Sequence, residues 1–474
     1  MESKSFFGQE SRSQQFSKMG AQRMNIVFLF SDEHAASAMG NSGHSVVRTP
    51  NLDRLAEKSY TFDNAYCNSP LCTPSRLSML TGRYPHQIEA WDLGVIADQR
   101  RHQTWGHHLG QADYRTVLCG RTHFNGSDRL MGFSHRLLDD LPKWHRSSGR
   151  PPARRPNERR SSNSHVTECG LGNHAHTVYD RQVTDLALDF LKQEATSASK
   201  QPFLLYCGYM HPHFPLIAPA EFLADYDPNT LELPSTWDRP LDYQHPVIQH
   251  LRWAWRNEVP PPESIVRCAL ASYYALVSAL DAQVGRIVNA IDNSPLADNT
   301  VIIYTSDHGE MAGHQGIWQK QCFYQPAVQV PLMLRLPANR TETGRVSQNV
   351  SLLDILPTLL DLAGRSADLP GRSLLAIARH EADRIDRPVF AEYHHMGMLN
   401  AGFMLKKGCH KLCYYVGHSP QLFDLSTDPT ESHNLVGTSS LVAKMEAELR
   451  LICDPEQVDR QAKVDQARRR SALS

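Results

Sequence analysis

The sequence predicts an α/β fold: a large, mostly parallel sheet flanked by helices, followed by a smaller C-terminal α+β subdomain with a short antiparallel sheet. Two observations predict it. Five short apolar runs read as buried parallel strands: "NIVFLF" (25–30), "TVLCG" (116–120), "FLLYCGY" (203–209), "TVIIYTS" (300–306) and "PLMLRL" (331–336). Helical patterns alternate with them, among them "DRLAEKSY" (53–60), "TDLALDFLKQ" (184–193) and "YYALVSALDAQVGRIVNAI" (273–291). Such alternation argues for a sheet covered on both faces.

In chain order, residues 1–23 are polar, lack the apolar core of a signal peptide and read as a disordered leader. Residues 24–375 carry the α/β pattern, and near their end "SLLDILPTLLDLAG" (351–364) reads as one more helix, closed by Gly364. Residues 376–474 change character. "PVFAEYHH", "AGFMLKKG", "HKLCYYV" and "QLFDLSTDP" are short strands with turn residues between them, and "LVAKMEAELRLI" (441–452) is a helix. The last stretch, "VDRQAKVDQARRRSALS", is expected as a solvated tail, the alternative being a helix laid on a neighbouring subunit of a homo-oligomer. The segment "RSSGRPPARRPNERRSSNS" (146–164) reads as a long exposed loop, a solvated insertion whose basic residues could also gather anionic substrates.

Composition narrows the classes. A net charge of −1 gives no global attraction to nucleic acid or to an anionic membrane, and no apolar run approaches the length of a membrane span. Ten scattered cysteines without a CxxC pair indicate neither a disulfide framework nor a zinc ribbon, so a reduced, cytoplasmic setting is the expectation.

The chemistry gathers at strand ends. "NIVFLF" runs into Ser31-Asp32-Glu33-His34, "TVLCG" into Arg121-Thr122-His123, "FLLYCGY" into Met210-His211-Pro212-His213, and "TVIIYTS" into Asp307-His308-Gly309-Glu310. In an open α/β sheet, ligands bind beyond the carboxyl ends of the strands. Asp32, Asp307 and His308 have the character of divalent-cation ligands: carboxylates suit calcium, magnesium or manganese, and one imidazole tilts the set toward manganese. The bland alternative for each Asp is a helix cap or turn residue.

"LCTPSRLSMLTGRYPH" (71–86) adds a helix start. Pro74 suits a first turn running through Leu77, Met79 and Leu80, with Gly82 as C-cap, and this puts Cys72 at the helix N-terminus with Arg76 one turn on. Helix dipole, metal and guanidinium together would hold an oxyanion over residue 72. A thiolate nucleophile activated by a nearby His is the competing reading.

These motifs carry a resemblance. Cys-x-Pro-Ser-Arg followed by Thr-Gly-Arg (Cys72, Pro74, Ser75, Arg76, Thr81, Gly82, Arg83) is similar to the signature of the sulfatase family of the alkaline phosphatase superfamily. So are "TPNLDRLAEKSYTFDNAYC" (49–67), "GRTHF" (120–124), "HPHFP" (211–215), "TSDHGEMAGHQGIWQK" (305–320), "VPLMLR" (330–335) and "LFDLSTDPTESHNL" (422–435), so the resemblance spans nearly all of the chain from Asn25. The resemblance implies an alkaline-phosphatase-like sandwich fold. It also implies that Cys72, as an accessible, oxidisable thiol, is converted by a formylglycine-generating enzyme to Cα-formylglycine. The hydrated aldehyde would attack sulfur with one hydroxyl and expel sulfate by collapse of the other.

Roles follow by position in the matching motifs. Asp32, Asp307 and His308 with residue 72 are implied to hold one divalent cation, Ca2+ foremost, with Mn2+ or Mg2+ as alternatives. Glu33 stands where relatives carry Asp, Asn or Gln, and is the fifth candidate ligand. Arg76 and Arg121 are implied to orient the diol and the sulfate, although many relatives have Lys at Arg121. His123 is implied as the base for collapse, His213 and Lys320 as sulfate-binding groups that assist the leaving oxygen, and His211, with His34, as supporting the site. The run "GRTHFNGSDRLMGF" (120–133) and His308 look most like the choline-sulfatase and phosphonate-hydrolase branch. The expected substrate is a small-molecule or saccharide sulfate ester. The rivals are a phosphonate or phosphate ester hydrolase on the same scaffold and a catalytically silent anion-binding homologue.

Overall fold

A computed structural model describes residues 23–141, 158–379, 386–437 and 440–472. The leader expected over residues 1–23 lies, but for Arg23, outside the described residues, as does most of the basic segment 146–164. Strands in chain order are β1 (Asn25–Asp32), β2 (Tyr60–Tyr66), β3 (Arg115–Gly120), β4 (His135–Leu138), β5 (Cys169–Leu171), β6 (Phe203–Pro212), β7 (Leu216–Ala218), β8 (Thr300–Ser306), β9 (Leu332–Arg335) and β10 (Gly344–Ser351). Strands β5 and β7 form a small parallel pair, and the other eight make one sheet in the order β10-β2-β9-β8-β1-β6-β3-β4.

The four strands that deliver the candidate residues, β8-β1-β6-β3, lie side by side and parallel in the middle of that sheet. Their residues alternate between two apolar layers. Val27, Leu29, Val117, Leu205 and Ile302 face the helices Pro50–Glu57, Ala175–Thr196 and Glu263–Asp292. Ile26, Phe28, Leu118, Leu204 and Ile303 face the helix Cys72–Thr81 and its neighbours. Both faces are therefore dry, which is why these strands carry no polar alternation.

Four expectations are corrected. "PLMLRL" is a strand but runs antiparallel to both β8 and β2. A parallel return needs a long crossover, and the chain between β8 and β9 carries just the short helical turns His314–Gly316 and Gln325–Val328, so it re-enters the sheet from the end it left. The helix placed at 53–60 is Pro50–Glu57, and Tyr60 already opens β2. The helix Glu263–Asp292 is long and apolar enough to cross a membrane by length and composition, but 78% of that window is buried inside the fold. The expected tail is the helix Pro455–Ser471, held to its own chain where Gln466 Nε2 (2.8 Å) and Arg469 (2.8 Å) bond Asp92 Oδ2.

Downstream, β11 (Val389–Tyr393), β12 (Gly402–Lys407), β13 (His410–Tyr415) and β14 (Gln421–Asp424) form the antiparallel sheet expected from the sequence. One face packs Phe403, Leu405 and Leu412 on Met445 and Leu449 of the helix Leu441–Ile452, while Met404, Cys413 and Phe423 join the main core. Glu392 on β11 ties this sheet to the turn that follows the helix Cys72–Thr81. Fully buried, it accepts hydrogen bonds from the His86 backbone N–H (2.9 Å), His86 Nδ1 (2.8 Å) and His394 Nε2 (2.8 Å). Burial opposes its charge, but His86 and His394 outweigh burial and hold its carboxyl down at about 2, while Glu392 in turn raises His86 against burial.

The sign of the pH dependence follows. A depressed carboxyl stabilises the fold above its ordinary value of 4.5 and loses that contribution as pH falls toward 2, whereas a raised imidazole contributes below its ordinary 6.5 and loses that as pH rises. Glu392→Gln is expected to lower the free energy of urea unfolding by about 3 kcal/mol at mid-acid pH. The gap between variant and parent should close as pH falls below 4.5, and a gap that widens there would contradict the assignment.

Candidate active site

The helix Cys72–Thr81 begins with Cys72 itself and ends at Gly82, whose φ of 65° supplies the left-handed cap. All ten of its residues are buried, because it lies between the sheet and the helix Ile355–Leu362 rather than on the surface. Cys72 is only 3% exposed, so the accessible thiol expected from the sequence is closed off in the folded chain.

Arg76, one turn into the helix, spans two strand ends. Its Nε donates to Asp307 Oδ2 (2.8 Å) and its Nη2 to Asp32 Oδ2 (3.0 Å). Arg121 Nε also donates to Asp32 Oδ2. The guanidinium groups thus occupy the Oδ2 atoms and leave both Oδ1 atoms facing His308 and Cys72. His308 Nε2 lies 3.5 Å from Asp307 Oδ1, 3.8 Å from Asp32 Oδ1 and 3.2 Å from Cys72 Sγ, which is itself 3.7 Å from Asp32 Oδ1. Burial opposes the charge of Asp32, yet Arg121, His213 and Arg76 hold its carboxyl well below the usual carboxylate range. Burial pushes His308 down to about 4, so its imidazole offers a lone pair at neutral pH. Burial and then Asp32 push the Cys72 thiol up to about 12 in the chain alone, which disfavours the thiolate reading.

A second group sits beside the first. Glu33 Oε1 pairs with Lys320 Nζ (2.9 Å), and Glu33 Oε2 lies 3.5 Å from His213 Nε2. Lys320 is 3% exposed; burial alone would lower its ammonium, but Cys72, Glu33 and Asp32 raise it, so it is charged. His123 faces Arg121, with Nδ1 3.2 Å from Nη2. His211 directs Nδ1 to Asp180 (3.3 Å) and Nε2 to Thr177 (3.3 Å), and His34 engages Tyr304 (2.6 Å) and the Ala38 carbonyl (3.1 Å), so both rings position the chain.

Sequence reasoning missed three carboxylates that shape the site. Asp140 accepts from the backbone N–H groups of Thr122 (3.1 Å) and His123 (3.0 Å); Asp180 from those of Met210 (2.7 Å) and His211 (2.9 Å); Glu310 from those of Ala312 (2.8 Å) and Gln319 (2.6 Å). The only sequence signal was proximity to the motifs, as in Glu310 three residues past Asp307.

Asp32, Cys72, Asp307 and His308 bring one donor atom each within 4.8 Å of one another, a set with the reach and chemistry to hold a divalent cation. Glu33 falls instead into the adjoining group with Asp32 and His213.

Comparison with known proteins agrees with this geometry. The family model described as Sulfatase matches residues 24–365. The chain belongs to the sulfatase family. A second model, the C-terminal region of N-sulphoglucosamine sulphohydrolase, matches residues 313–454 of this sulfatase. It is 32% identical over 430 residues to the choline-sulfatase of Rhizobium meliloti, covering 87% of this chain and 82% of that one. Human arylsulfatase K is 29% identical over 444 residues, covering 88% and 80%. Among solved structures, the phosphonate monoester hydrolase of Agrobacterium radiobacter superposes with a TM-score of 0.72 at 21% identity, covering 93% of this chain and 96% of that one, and shares its fold. The sulfatase is a sulfuric ester hydrolase by family.

Binding of a divalent cation by the four-residue group would stabilise the fold by mass action. Calcium or manganese at about a hundredfold over its dissociation constant should add roughly 2.7 kcal/mol. His308→Ala should abolish most of the resulting rise in melting temperature, measured with and without a chelator; an equal rise in the variant would place the ion elsewhere.

Proposed function

We propose that the protein hydrolyses organic sulfate monoesters at residue 72. The observation that carries the reading is the convergence of donor atoms from Asp32, Asp307 and His308 on Cys72 at the carboxyl edge of the sheet, with Arg121 and Lys320 close enough to act on its thiol, His123 beside Arg121 and His213 beside Glu33. Converted to Cα-formylglycine and supported by a divalent cation in the four-residue group, residue 72 would supply a hydrated aldehyde as oxygen nucleophile and, in its second hydroxyl, a means of releasing sulfate.

The chain's own residues do the rest. Arg76 orients Asp32 and Asp307, and Arg121, tied to Asp32, presents charge to the sulfate oxygens. As the S–O bond to the alcohol breaks, negative charge builds on the bridging oxygen. Lys320 and His213, both held against Glu33, are placed to stabilise that oxygen and return a proton to it. His123, fixed by Asp140 through its backbone N–H, is placed to take the proton that lets the sulfated intermediate collapse. The fold is shared with a phosphonate monoester hydrolase, and a structural neighbour was solved with D-glucosamine-2-N,6-O-disulfate as its substrate. The sulfate reading rests on family membership rather than on fold alone.

Because Cys72 is closed off in the fold, its conversion by a formylglycine-generating enzyme belongs to the chain before folding is complete. Mass spectrometry of the peptide spanning residue 72, from active protein, is expected to show an aldehyde oxygen in place of the thiol. Cys72→Ala should lower aryl sulfate hydrolysis by at least about a thousandfold while leaving the melting temperature near that of the parent. Full activity with an unmodified cysteine would overturn the mechanism. Faster turnover of a matched aryl phosphate or phosphonate would overturn the substrate class.

A further inference from the structure

The basic segment singled out in the sequence enters the described structure at residue 158 and lies along the turn that ends the helix Pro246–Ala254. Two of its arginines stack on tryptophans of that turn. Arg159 lies over Trp253 at 5.3 Å and donates through Nε to the Trp253 carbonyl (3.1 Å). Its other end pairs with Glu258, so its charge is answered. Arg160 lies over Trp255 at 5.0 Å, with its backbone N–H on the Ala254 carbonyl (2.9 Å). Arg256 closes the arrangement by donating from Nε to the Arg160 carbonyl (2.8 Å).

Neither Arg160 nor Arg256 has a carboxylate partner among the described residues, although both are half-buried. Residues 142–157, which lead into Arg159, carry five Lys and Arg and no Asp or Glu, so that stretch of sequence has no acid to offer. Half-buried cations are ordinarily paired, because desolvation without compensation is costly. Stacking on a ring engages only the face of a guanidinium and leaves its in-plane N–H donors able to bond an oxyanion.

This pair is next to the reaction centre. Trp255 meets His165 edge-on at 6.2 Å, and burial, with the charges of Arg160 and Lys320, holds the His165 imidazole down at about 3. The same turn backs the loop that carries Lys320: a Cβ on Gly316 would come within 2.7 Å of the Arg252 guanidinium, and Arg252 Nε holds the Asn257 carbonyl (2.8 Å). The side of the site occupied by Lys320 is the side assigned to the departing alcohol.

We propose that Arg160 and Arg256 form a subsite for a second anionic group, a carboxylate or sulfate borne by the alcohol part of the ester. The inference rests on the sulfate-ester reading for its position relative to the substrate. It makes the preferred alcohol an acid-bearing one, such as a uronic acid or a multiply sulfated sugar, rather than a cationic one.

The test uses converted enzyme and three esters: para-nitrophenyl sulfate, its ring-carboxylated analogue and choline sulfate. The carboxylated ester should show a KM about tenfold below that of the plain one, the worth of one charge-assisted bond. Arg160→Gln and Arg256→Gln should each bring the ratio of the two KM values toward one, with the effect in KM rather than kcat. A ratio of one in the parent, a ratio unmoved in both variants, or choline sulfate having the lowest KM would overturn the subsite. Calorimetric titration with benzene meta-disulfonate and benzenesulfonate separates this from the catalytic reading. The disulfonate should bind about tenfold more tightly, with the difference lost in Arg160→Gln. Should that difference stand in a protein that hydrolyses no sulfate ester, the proposed function fails and the subsite survives; equal binding of the two probes overturns the subsite whatever the activity.

Discussion

The site depends on one buried ionic arrangement: Arg76 held between Asp32 and Asp307, with Arg121 on the far side of Asp32. Four charges with essentially no solvent exposure are stable only as a set, because removal of any one strands the others in a low dielectric at a cost of about 3–5 kcal/mol. Each member comes from a different element: the ends of β1, β3 and β8 and the first turn of the helix Cys72–Thr81. The set therefore fixes three strands against one helix. By consuming the Oδ2 atoms, it also decides which carboxylate oxygens remain for a cation.

A second constraint acts on the backbone. Glu33 (φ 71°), His123 (φ 60°), Gln319 (φ 70°) and Gln321 (φ 75°) all sit in the left-handed region, which disfavours residues with a side chain, and all lie at the site. In each case a buried acceptor takes the backbone N–H: Asp307 for Glu33 (3.1 Å), Asp140 for His123 (3.0 Å), Glu310 for Gln319 (2.6 Å) and the Pro70 carbonyl for Gln321 (3.3 Å). At Glu33 and His123 the chain leaves the sheet and is turned sharply by a carboxylate, and around Lys320 two such turned residues flank the one whose side chain enters the centre. Asp307 serves twice, once through Oδ1 for this purpose and once through Oδ2 for Arg76.

What was legible in the sequence follows from this. Asp32, Arg121, His123, Asp307 and His308 could be read because a parallel strand fixes where its carboxyl end must lie, and the strands themselves are uninterrupted apolar runs. Lys320 could be read only through a motif, since it lies in an irregular loop between β8 and β9. Asp140, Asp180 and Glu310 escaped because their role is defined by the N–H groups they meet in space, and a single carboxylate in a loop or helix carries no such mark. Strand β2 was missed because "TFDNAY" interrupts its apolar residues with Asp63 and Asn64, which are half-exposed. The final helix was missed because it is polar throughout, and what holds it, Asp92, lies far away in the sequence.

The charge balance of the centre ties these observations to its chemistry. Three basic groups, Arg76, Arg121 and Lys320, face the carboxyl groups of Asp32, Glu33 and Asp307, and burial pushes the carboxyls of Glu33 and of nearby Glu310 up. Such a nearly balanced, buried set offers little excess positive charge to draw in a sulfate ester. Two added positive charges change that, and an ion at the four-residue group would sit on the face where the Oδ1 atoms of Asp32 and Asp307 are free of guanidinium. Anion affinity and cation occupancy are then one property of the site rather than two. The arginines tied to Asp32 and Asp307 matter less as sulfate ligands in their own right than as the groups that orient those two carboxylates and leave their Oδ1 atoms available.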